Sequence, residues 1–352
     1  MIRLKMGKEI DKPDISVIIP MYNAENTVRE CLRSIFASQG VRFEVIVVND
    51  ASTDDSLSMA LQFPCKIISF KSNSMISNCR NIGAHYSESD ILLFFDADQI
   101  MKTNTLQRFV QVFRDCPDVQ AVVASYEMDT PAEGFFSKFK NIRHHYVHQN
   151  ADKEGWTLAG GFSSIRKSKF EEMGGFKGLY LEDIIMGYKL HRKHNRILFC
   201  KNIQVVHLKK YSLRTLLISD VFHRSIPWMQ IMLRERIWKN DLNTGMSNII
   251  SVVLAMLILP LCIPLGIKFG AIAAIIIVSA SWIMNRGLLR LAFSHFRFLF
   301  LLKSLIFILF MYFYEGIGAI IGIISYYLGY SIIDKQMPAV CSHEVLQYGR
   351  II

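Results

Sequence analysis

The stretch Ile91-Leu-Leu-Phe-Phe-Asp-Ala-Asp98 combines the two features on which our interpretation of the fold rests. Its first five residues are wholly apolar, which is typical of a strand that helices cover on both faces. Its last three residues place two carboxylates directly after that strand. Because open α/β sheets bind ligands at the carboxyl ends of their strands, we expect Asp96 and Asp98 to face a ligand site.

Strand-like and helix-like segments alternate on both sides of this stretch. Apolar, β-branched runs at 16–21, 43–49, 66–69 and 119–125 predict further strands, and the segments between them predict helices. The alternation predicts an α/β fold with a doubly wound sheet. No GxGxxG follows the first strand and no GxxxxGK[ST] occurs, so neither a dinucleotide-binding Rossmann site nor a P-loop is supported.

Charge and hydropathy divide the chain into two unlike parts. Residues 1–200 contain 25 Lys/Arg and 24 Asp/Glu, whereas residues 201–352 contain 15 and 6. Long uncharged runs occur only after Asn248. The hydrophobic content of 51% excludes a disordered chain, and seven scattered cysteines exclude a disulfide scaffold. We therefore expect a charge-balanced soluble part joined to a basic membrane part.

Three apolar stretches predict membrane helices at 249–267, 270–286 and 305–330, since about 20 apolar residues cross a bilayer. Glu315 interrupts the third stretch, so three or four crossings both remain open. A basic cluster between the second and third stretches predicts that this region faces the cytoplasm; it comprises Arg286, Arg290, His295, Arg297 and Lys303. These features predict a multi-pass protein of an inner or plasma membrane with a cytoplasmic catalytic domain.

Cations and aromatic residues alternate ahead of the first apolar stretch, which is typical of helices that lie on anionic lipid headgroups. The adjoining apolar stretches argue against a nucleic-acid partner. The predicted organisation is an N-terminal tail at 1–13, a catalytic domain at 14–210, basic interfacial helices at 211–247, membrane helices at 248–332 and a C-terminal tail at 333–352.

Several polar residues near the strand ends carry both a chemical and a structural interpretation. Asp96 and Asp98 can hold Mg²⁺ or Mn²⁺ against a diphosphate, or can be turn-forming aspartates. Asp50 can accept from the N–H of a nucleobase or can cap the next helix. Arg80 can pair with phosphate or can be a solvated helix charge. His207 can be a metal or phosphate ligand or a structural histidine.

Two segments further along could serve an acceptor. Glu182-Asp183 begins an amphipathic helix, where one carboxylate can act as general base or both can cap the helix. Gly160-Gly161 allows the backbone to approach a ligand closely, although tight turns also use paired glycines.

Taken in order, these segments resemble glycosyltransferase family 2. The resemblance covers about residues 14–210 and rests on Ser16-Val-Ile-Ile-Pro-Met-Tyr-Asn23, Val47-Val-Asn-Asp-Ala-Ser-Thr-Asp-Asp55, Arg80-Asn-Ile-Gly83, Asp96-Ala-Asp98, Gly160-Gly-Phe-Ser-Ser-Ile-Arg166 with Gly174-Gly-Phe176, and Glu182-Asp183. Asn49 and Ala51 depart from the family's "VDDGSTD" pattern.

The resemblance implies a GT-A fold with a mixed sheet, a nucleotide-diphosphate sugar donor and an inverting single displacement. It implies a nucleoside pocket lined by Pro20, Tyr22, Asp50 and Arg80. It implies further that Asp96 faces ribose or metal and that Asp98 holds the metal, with His207 as a candidate ligand. It also implies that Asp183 is the general base. On the acceptor side it implies Glu182, Gly160 and Gly161.

One departure bears on the product. The family's processive synthases carry QxxRW near their membrane helices, whereas here only Arg224 and Trp228 stand near that position. This favours transfer of one sugar to a lipid or lipid-linked acceptor of the cell envelope, with Arg224 a candidate contact for the diphosphate. The alternatives are a polysaccharide synthase, a non-catalytic sugar-nucleotide-binding membrane protein and, with least support, a transporter.

Overall fold

The computed structural model describes residues 12–237, 239, 242–333 and 345–348. A mixed β-sheet forms the centre of the described part. Its strands are β1 (Ile15–Met21), β2 (Phe43–Asn49), β3 (Lys66–Phe70), β4 (Ile91–Phe95), β5 (Gln99–Met101), β6 (Val119–Tyr126), β7 (Glu154–Gly155), β8 (Phe162–Arg166), β9 (Arg196–His207) and β10 (Val345–Tyr348). Their order is β10-β3-β2-β1-β4-β8-β6-β9-β5, with β7 paired to β9.

Helices cover the sheet as the alternating sequence pattern predicts. They are α1 (Val28–Phe36), α2 (Ser56–Ala60), α3 (Ile76–His85), α4 (Thr105–Asp115), α5 (Phe135–Gln149), α6 (Lys167–Glu172) and α7 (Glu182–Arg192). The apolar strands β1 and β4 are buried along nearly their whole length and form the core with apolar residues of α1 and α4, such as Leu32 and Phe109. The predicted doubly wound α/β fold is confirmed.

Strand pairing explains why the polar residues converge. Strands β3, β2, β1 and β4 run parallel, so Asp50 and Asp96 follow strands that end at the same edge. Strand β8 runs antiparallel to β4 with Phe162 opposite Phe95, which brings Gly161 beside Asp96. Strand β5 pairs with β9 so that Gln99 faces His207, and this places His207 near Asp98.

The C-terminal part is helical. Its helices are α8 (Leu213–Asp220), which continues through one π-helical turn (Val221–Ser225) into α9 (Ile226–Glu235), then α10 (Met246–Cys262), α11 (Gly266–Met284) and α12 (Arg286–Tyr327). Helix α12 changes direction at Arg297, whose φ of 68° is not helical. A second core joins α5 to α8 and α12 through residues such as Phe139, Leu216 and Ile308.

The apolar helices differ in their bounds from the predicted stretches. Helices α11 and α12 are long and apolar enough to cross a membrane, whereas the apolar run of α10, Met246–Ile258, is shorter. The predicted stretch 249–267 extends past the end of α10, and 305–330 lies mostly within the longer α12. Residues 1–11 of the predicted N-terminal tail lie outside the described residues, whereas residues 345–348 of the predicted C-terminal tail form β10. The division into domains stays a prediction.

Candidate active site

A cleft of about 1700 Å³ opens at the carboxyl edge of the parallel strands. It brings together the following residues that the sequence singled out: Pro20, Tyr22, Asp50, Arg80, Asp96, Asp98, Gly160, Gly161, Glu182, Asp183 and Arg224. His207 lies behind Asp98, with its Nε2 3.6 Å from Asp98 Oδ2. Residues far apart in the chain thus meet at one place, although the role of each remains a prediction.

Arg80 lies at the centre of the carboxylate cluster. Helix α3 carries its guanidinium between two acids, where Nη2 donates to Asp96 Oδ1 at 2.8 Å and Nη1 pairs with Glu182. The guanidinium also lies over the ring of Phe176, 5.7 Å from its centroid. The sequence allowed Arg80 to be a phosphate contact or a solvated helix charge; the second interpretation is wrong, because Arg80 is buried. The structure shows that Arg80 also fixes the relative position of Asp96 and Glu182.

Asp50 fixes the segment that leads into α3. One of its carboxylate oxygens accepts from Ser74 N at 2.6 Å and from Ser74 Oγ at 2.9 Å, and the other accepts from Met75 N at 3.1 Å. Met75 has a φ of 75°, a strained conformation that these hydrogen bonds help to hold. Asp50 therefore has a structural role beside its predicted contact with a nucleobase.

Tyr22 lines the cleft with 53% of its surface exposed.

Asp183 is oriented by backbone donors. Gly160 N donates to its Oδ2 at 2.7 Å, and Ile184 N donates to its Oδ1 at 2.8 Å. A Cβ at Gly160 would collide with the Arg80 guanidinium, and a Cβ at Gly161 would collide with the Asp96 carboxylate. Paired glycines are therefore needed here for the close approach of the backbone to both charged groups.

The two carboxylates at the start of α7 are less acidic than solvated ones. Burial raises the pKa of Glu182 to about 7; Arg80 opposes this rise, and the charge of Asp183 adds to it. Burial also raises the pKa of Asp183, against the effect of Arg80 and of the two backbone N–H groups. A raised pKa makes a carboxylate a better proton acceptor, which suits a general base.

Asp98 remains charged. Burial disfavours its anion, but His207 and Lys209 outweigh that effect and hold the pKa of Asp98 below its ordinary value. Its Oδ1 is buried and has no hydrogen-bond partner within the described residues. The same part of the chain contains no group of three Asp, Glu, His or Cys side chains arranged for a metal. Mg²⁺ usually takes one or two carboxylates together with substrate phosphates, so Asp98 and Asp96 fit a site that a diphosphate completes.

Sequence reasoning singled out Arg224 but missed the largely buried ionic cluster to which it belongs, on the helical side of the cleft. We call it the inner charge cluster; its members, all lining the cleft, are Lys140, Arg143, Asp220, Arg224 and Glu315. Lys140 Nζ lies 2.6 Å from Asp220 Oδ1, Arg143 Nη1 lies 3.4 Å from Glu315 Oε1, and Arg224 Nη1 lies 3.1 Å from His144 Nε2. The available signal was the placement of Lys140, Arg143 and His144 on one face of α5.

Beyond the inner charge cluster the lining of the cleft becomes apolar. We call this part the apolar groove; it runs between α10 and α12 and is lined by Ile249, Val252, Val253, Met256, Leu257 and Ile320. One continuous cleft therefore begins among acidic residues at the sheet edge and ends among the apolar helices.

The sheet, with carboxylates gathered at its carboxyl edge, has the GT-A architecture. Residues 16–174 match the sequence model described as Glycosyl transferase family 2. Residues 16–174 therefore match glycosyltransferase family 2, as the motifs in that segment predicted.

Two relatives illustrate the similarity. An uncharacterized glycosyltransferase of Haemophilus influenzae is 30% identical over 167 residues, which are 46% of this chain and 55% of that protein. The O-antigen chain rhamnosyltransferase WbaN of Salmonella anatum is 25% identical over 62% of this chain and 75% of its own length. The chain thus matches only about half the length of the first relative.

A solved structure resembles almost the whole chain. The mannosyltransferase PcManGT of Pyrobaculum calidifontis, in complex with GDP-Man and Mn²⁺, superposes with a TM-score of 0.57 over 89% of this chain and 87% of its own. The two sequences are 18% identical, so the likeness concerns the fold. It confirms the predicted GT-A architecture followed by C-terminal helices.

Proposed function

We propose that this chain is a membrane-anchored, metal-dependent, inverting glycosyltransferase that moves one sugar from a nucleotide-diphosphate sugar to a lipid or lipid-linked acceptor. The observation that carries the proposal is the continuity of the cleft. It joins Asp96, Asp98 and Asp183 to the apolar groove between α10 and α12. A donor at the sheet edge and a lipid tail in the groove could occupy the cleft at the same time.

The donor end suits a nucleoside diphosphate. Tyr22 presents an exposed ring beside Pro20 and Asp50, where a base can stack. A divalent cation on Asp98 and Asp96, with His207 beside them, would neutralise the charge that develops on the leaving diphosphate. The complex of PcManGT with GDP-Man and Mn²⁺ supports this arrangement. Arg224, which also lines the cleft, is the proposed further contact for the diphosphate.

Asp183 is the proposed general base. It accepts the proton of an acceptor hydroxyl as the hydroxyl oxygen forms a bond to the anomeric carbon. The bond from that carbon to the diphosphate oxygen breaks in the same step, so the configuration inverts and the nucleoside diphosphate leaves. Gly160 N and Ile184 N hold the carboxylate in one orientation throughout. Glu182, which pairs with Arg80, is the proposed contact for the acceptor beside the base.

The acceptor end suits a molecule with a polar head and an apolar tail. The inner charge cluster lies between Asp183 and the apolar groove, so a charged or sugar-bearing head would meet ionic groups before its tail meets α10 and α12. Apolar groups gain about 25 cal/mol for each Å² that they bury, which favours a tail in the groove. The Salmonella relative named for an O-antigen chain supports an acceptor that belongs to a growing glycan.

The test is sugar transfer by the purified full chain in detergent. We expect one of UDP-glucose, UDP-N-acetylglucosamine, GDP-mannose or dTDP-rhamnose to give a labelled product with a lipid extract, extended by a single sugar. Asp183→Asn should lower kcat by about 10²–10⁴ while donor affinity stays within twofold, because only proton transfer is lost. The matched control is Asp90→Asn, an exposed aspartate paired with Lys12, which should leave kcat unchanged.

Three outcomes would contradict parts of the proposal. Near-normal turnover by Asp183→Asn would show that Asp183 is not the general base. Products of many sugars would show a polysaccharide synthase. Donor binding without release of nucleotide under any acceptor condition would favour a non-catalytic sugar-nucleotide-binding protein.

A further inference from the structure

Helix α12 packs along nearly its whole length on the catalytic body, by which we mean the sheet together with α1–α9. Phe307 contacts the rings of Phe135 and Phe139 on α5, with centroids 5.5 and 5.0 Å apart. Further along, Ser325 Oγ accepts from Gln230 of α9 at 2.8 Å. Eighteen residues separate Phe307 from Ser325, which is roughly 27 Å of helix at 1.5 Å per residue. One face of α12 therefore follows the surface of the body for most of the thickness of a bilayer core.

Small residues bring α12 close to the α8–α9 helix. A Cβ at Gly318 would collide with Ser225, and a Cβ at Gly322 would press against Ile226 and Met229. Between these contacts and α5, Tyr314 Oη donates to Asp220 at 3.0 Å and Glu315 pairs with Arg143. The inward face of α12 thus combines small and polar residues with large apolar ones such as Phe307 and Ile308, and it lies against helices that themselves pack on the catalytic domain.

The opposite face of α12 is apolar and exposed. From residue 304 to residue 327, every exposed side chain is aliphatic or aromatic. Apart from Ile320, which lines the apolar groove, we call these residues the outer face of α12: Ile306, Phe310, Ile317, Ile321, Ile323, Ile324 and Tyr327. Ile306 is 68% exposed and Ile324 is 54% exposed. A helix on the surface of a water-soluble protein has the reverse pattern, with polar residues outside, so the outer face requires an apolar partner.

The segment that precedes the outer face is cationic. Arg286, Arg290, Arg297 and Lys303 are exposed, and Phe293 and Phe298 are exposed among them. Exposed cations that alternate with aromatic rings fit the level of anionic lipid headgroups. Charge complementarity therefore selects a lipid leaflet as the partner, in preference to a second protein.

The chain returns to the catalytic body after α12. Ile333 is buried with Trp156, Ile184 and Ile185, and Gln230 Oε1 accepts from Ile332 N at 2.9 Å. Strand β10 then pairs antiparallel with β3 at the edge of the catalytic sheet. The apolar region thus begins and ends on the same body, which requires that the chain cross the membrane an even number of times.

We infer that α12 does not cross the membrane but lies in the plane of one leaflet, with its outer face in the lipid. Helices α10 and α11 form the deeper insertion, since their connection exposes Ile263 and Leu265, and Ile267 in the first turn of α11 is 96% exposed. The residues after α12 lie on the side of the catalytic domain. This inference concerns membrane attachment and does not depend on sugar transfer.

The first test asks whether the two ends of the chain lie on the same side of the membrane. Epitope tags are placed before Met1 and after Ile352 of the full chain, and antibody access is measured in sealed membrane vesicles of known orientation. Residues 1–14 contain no apolar run that could cross a bilayer, so the N-terminal tag reports the side of the catalytic domain. We expect both tags to be accessible from the same side. Access from opposite sides would overturn the inference.

The second test measures depth. Single spin-labelled cysteines at positions 299, 310, 317 and 324 are placed in a variant with serine at Cys116, Cys200, Cys262 and Cys341, with Lys153→Cys as the aqueous control. The collision rate of each label with dissolved oxygen is compared with its collision rate with a water-soluble nickel chelate. The ratio of the two rates gives the depth of the label in phosphatidylglycerol-containing vesicles. We expect four similar, shallow depths.

A crossing helix would give a different profile, since positions 299 and 324 would differ in depth by up to roughly 38 Å. Such a gradient would overturn the inference. Labels shielded from both oxygen and nickel would show that a protein partner or a second copy covers the outer face, and would overturn it as well. If the serine variant does not fold, the tagged full chain still decides the question.

Discussion

Replacement of Arg80 by methionine probes the carboxylate cluster most directly. The guanidinium has 3% of its side chain exposed, and its partner Glu182 has 7% exposed. Arg80→Met keeps the volume of the side chain but removes the charge that both Glu182 and Asp96 face. Glu182 would then have to stay buried without a counter-ion or take up a proton.

The size of the effect follows from this burial. Removal of one partner from a buried ion pair costs about 3–5 kcal/mol, because the remaining charge is left uncompensated. The part of the interaction that involves Asp96 adds less, since that carboxylate is 32% exposed and solvent screens it. For domains of 150–250 residues, 1 kcal/mol changes Tm by about 2–4 °C, so we expect Tm to fall by roughly 6–20 °C.

The assay is thermal unfolding of the detergent-solubilised full chain, followed by intrinsic fluorescence. Arg80→Met is compared with Glu182→Gln and with the double variant, in which no buried charge of this pair remains. We expect the free energy of unfolding of the double variant to exceed that of Arg80→Met alone by at least about 2 kcal/mol. A coupling of this size is within the range for residues in contact. Arg33→Met is the matched control, because its pair with Glu30 is exposed on both sides and contributes at most about 1 kcal/mol.

Two results would refute the reasoning. One is a Tm change in Arg80→Met no larger than in Arg33→Met. The other is strict additivity of Arg80→Met and Glu182→Gln, since it would show that the two side chains do not interact in the folded protein.

Three further predictions concern activity. Because burial raises the pKa of Asp183 and of Glu182, log(kcat/KM) should fall by one unit per pH unit on the acid side, starting above the ordinary carboxylate pKa of about 4. A rate that is constant down to pH 4 would contradict this. Chelation of divalent cations should abolish sugar transfer, and added Mn²⁺ should restore it. Asp98→Asn should raise the Mn²⁺ concentration that gives the half-maximal rate at least tenfold. The same half-maximal concentration for both proteins would argue against a metal on Asp98. Gly161→Ala should lower the free energy of unfolding by about 1–3 kcal/mol and remove most of the activity, because its methyl group would collide with the Asp96 carboxylate. Gly245→Ala is the control, since a Cβ there meets nothing closer than 3.4 Å. It should resemble the unchanged chain in both thermal unfolding and sugar transfer.

Local sequence patterns predicted β1, β2, β3, β4 and β6, because each of these strands carries its own apolar signal, but they did not predict the other five strands. The run Ile91–Phe95 is apolar enough to require cover on both faces, and the acids after it lie at the strand end for the same reason. The residue pattern of Glu182–Arg192 likewise predicted α7, which begins at Glu182. These inferences needed only neighbours in the chain.

Interactions between distant residues could not be read in the same way. Arg80 and Glu182 are 102 residues apart, and Arg143 and Glu315 are 172 apart. Each of these side chains has an ordinary solvated interpretation when it is considered alone. Hydropathy also identified the apolar stretches but could not show that one face of α12 lies against α5 and α9, because length and composition are the same for a helix that crosses and for one that lies flat.

Strand β10 has a consequence for the order in which the protein is assembled during synthesis. Its partner β3 is an edge strand until residues 345–348 have been made, and these follow Phe70 by 275 residues. At 5–20 residues per second, the ribosome needs roughly 14–55 s to reach them. Throughout that time the nascent chain presents an unpaired edge that other strands can join. Chains shortened at the C-terminus would keep this edge open permanently, and we expect them to aggregate even where every residue around Asp183 is intact.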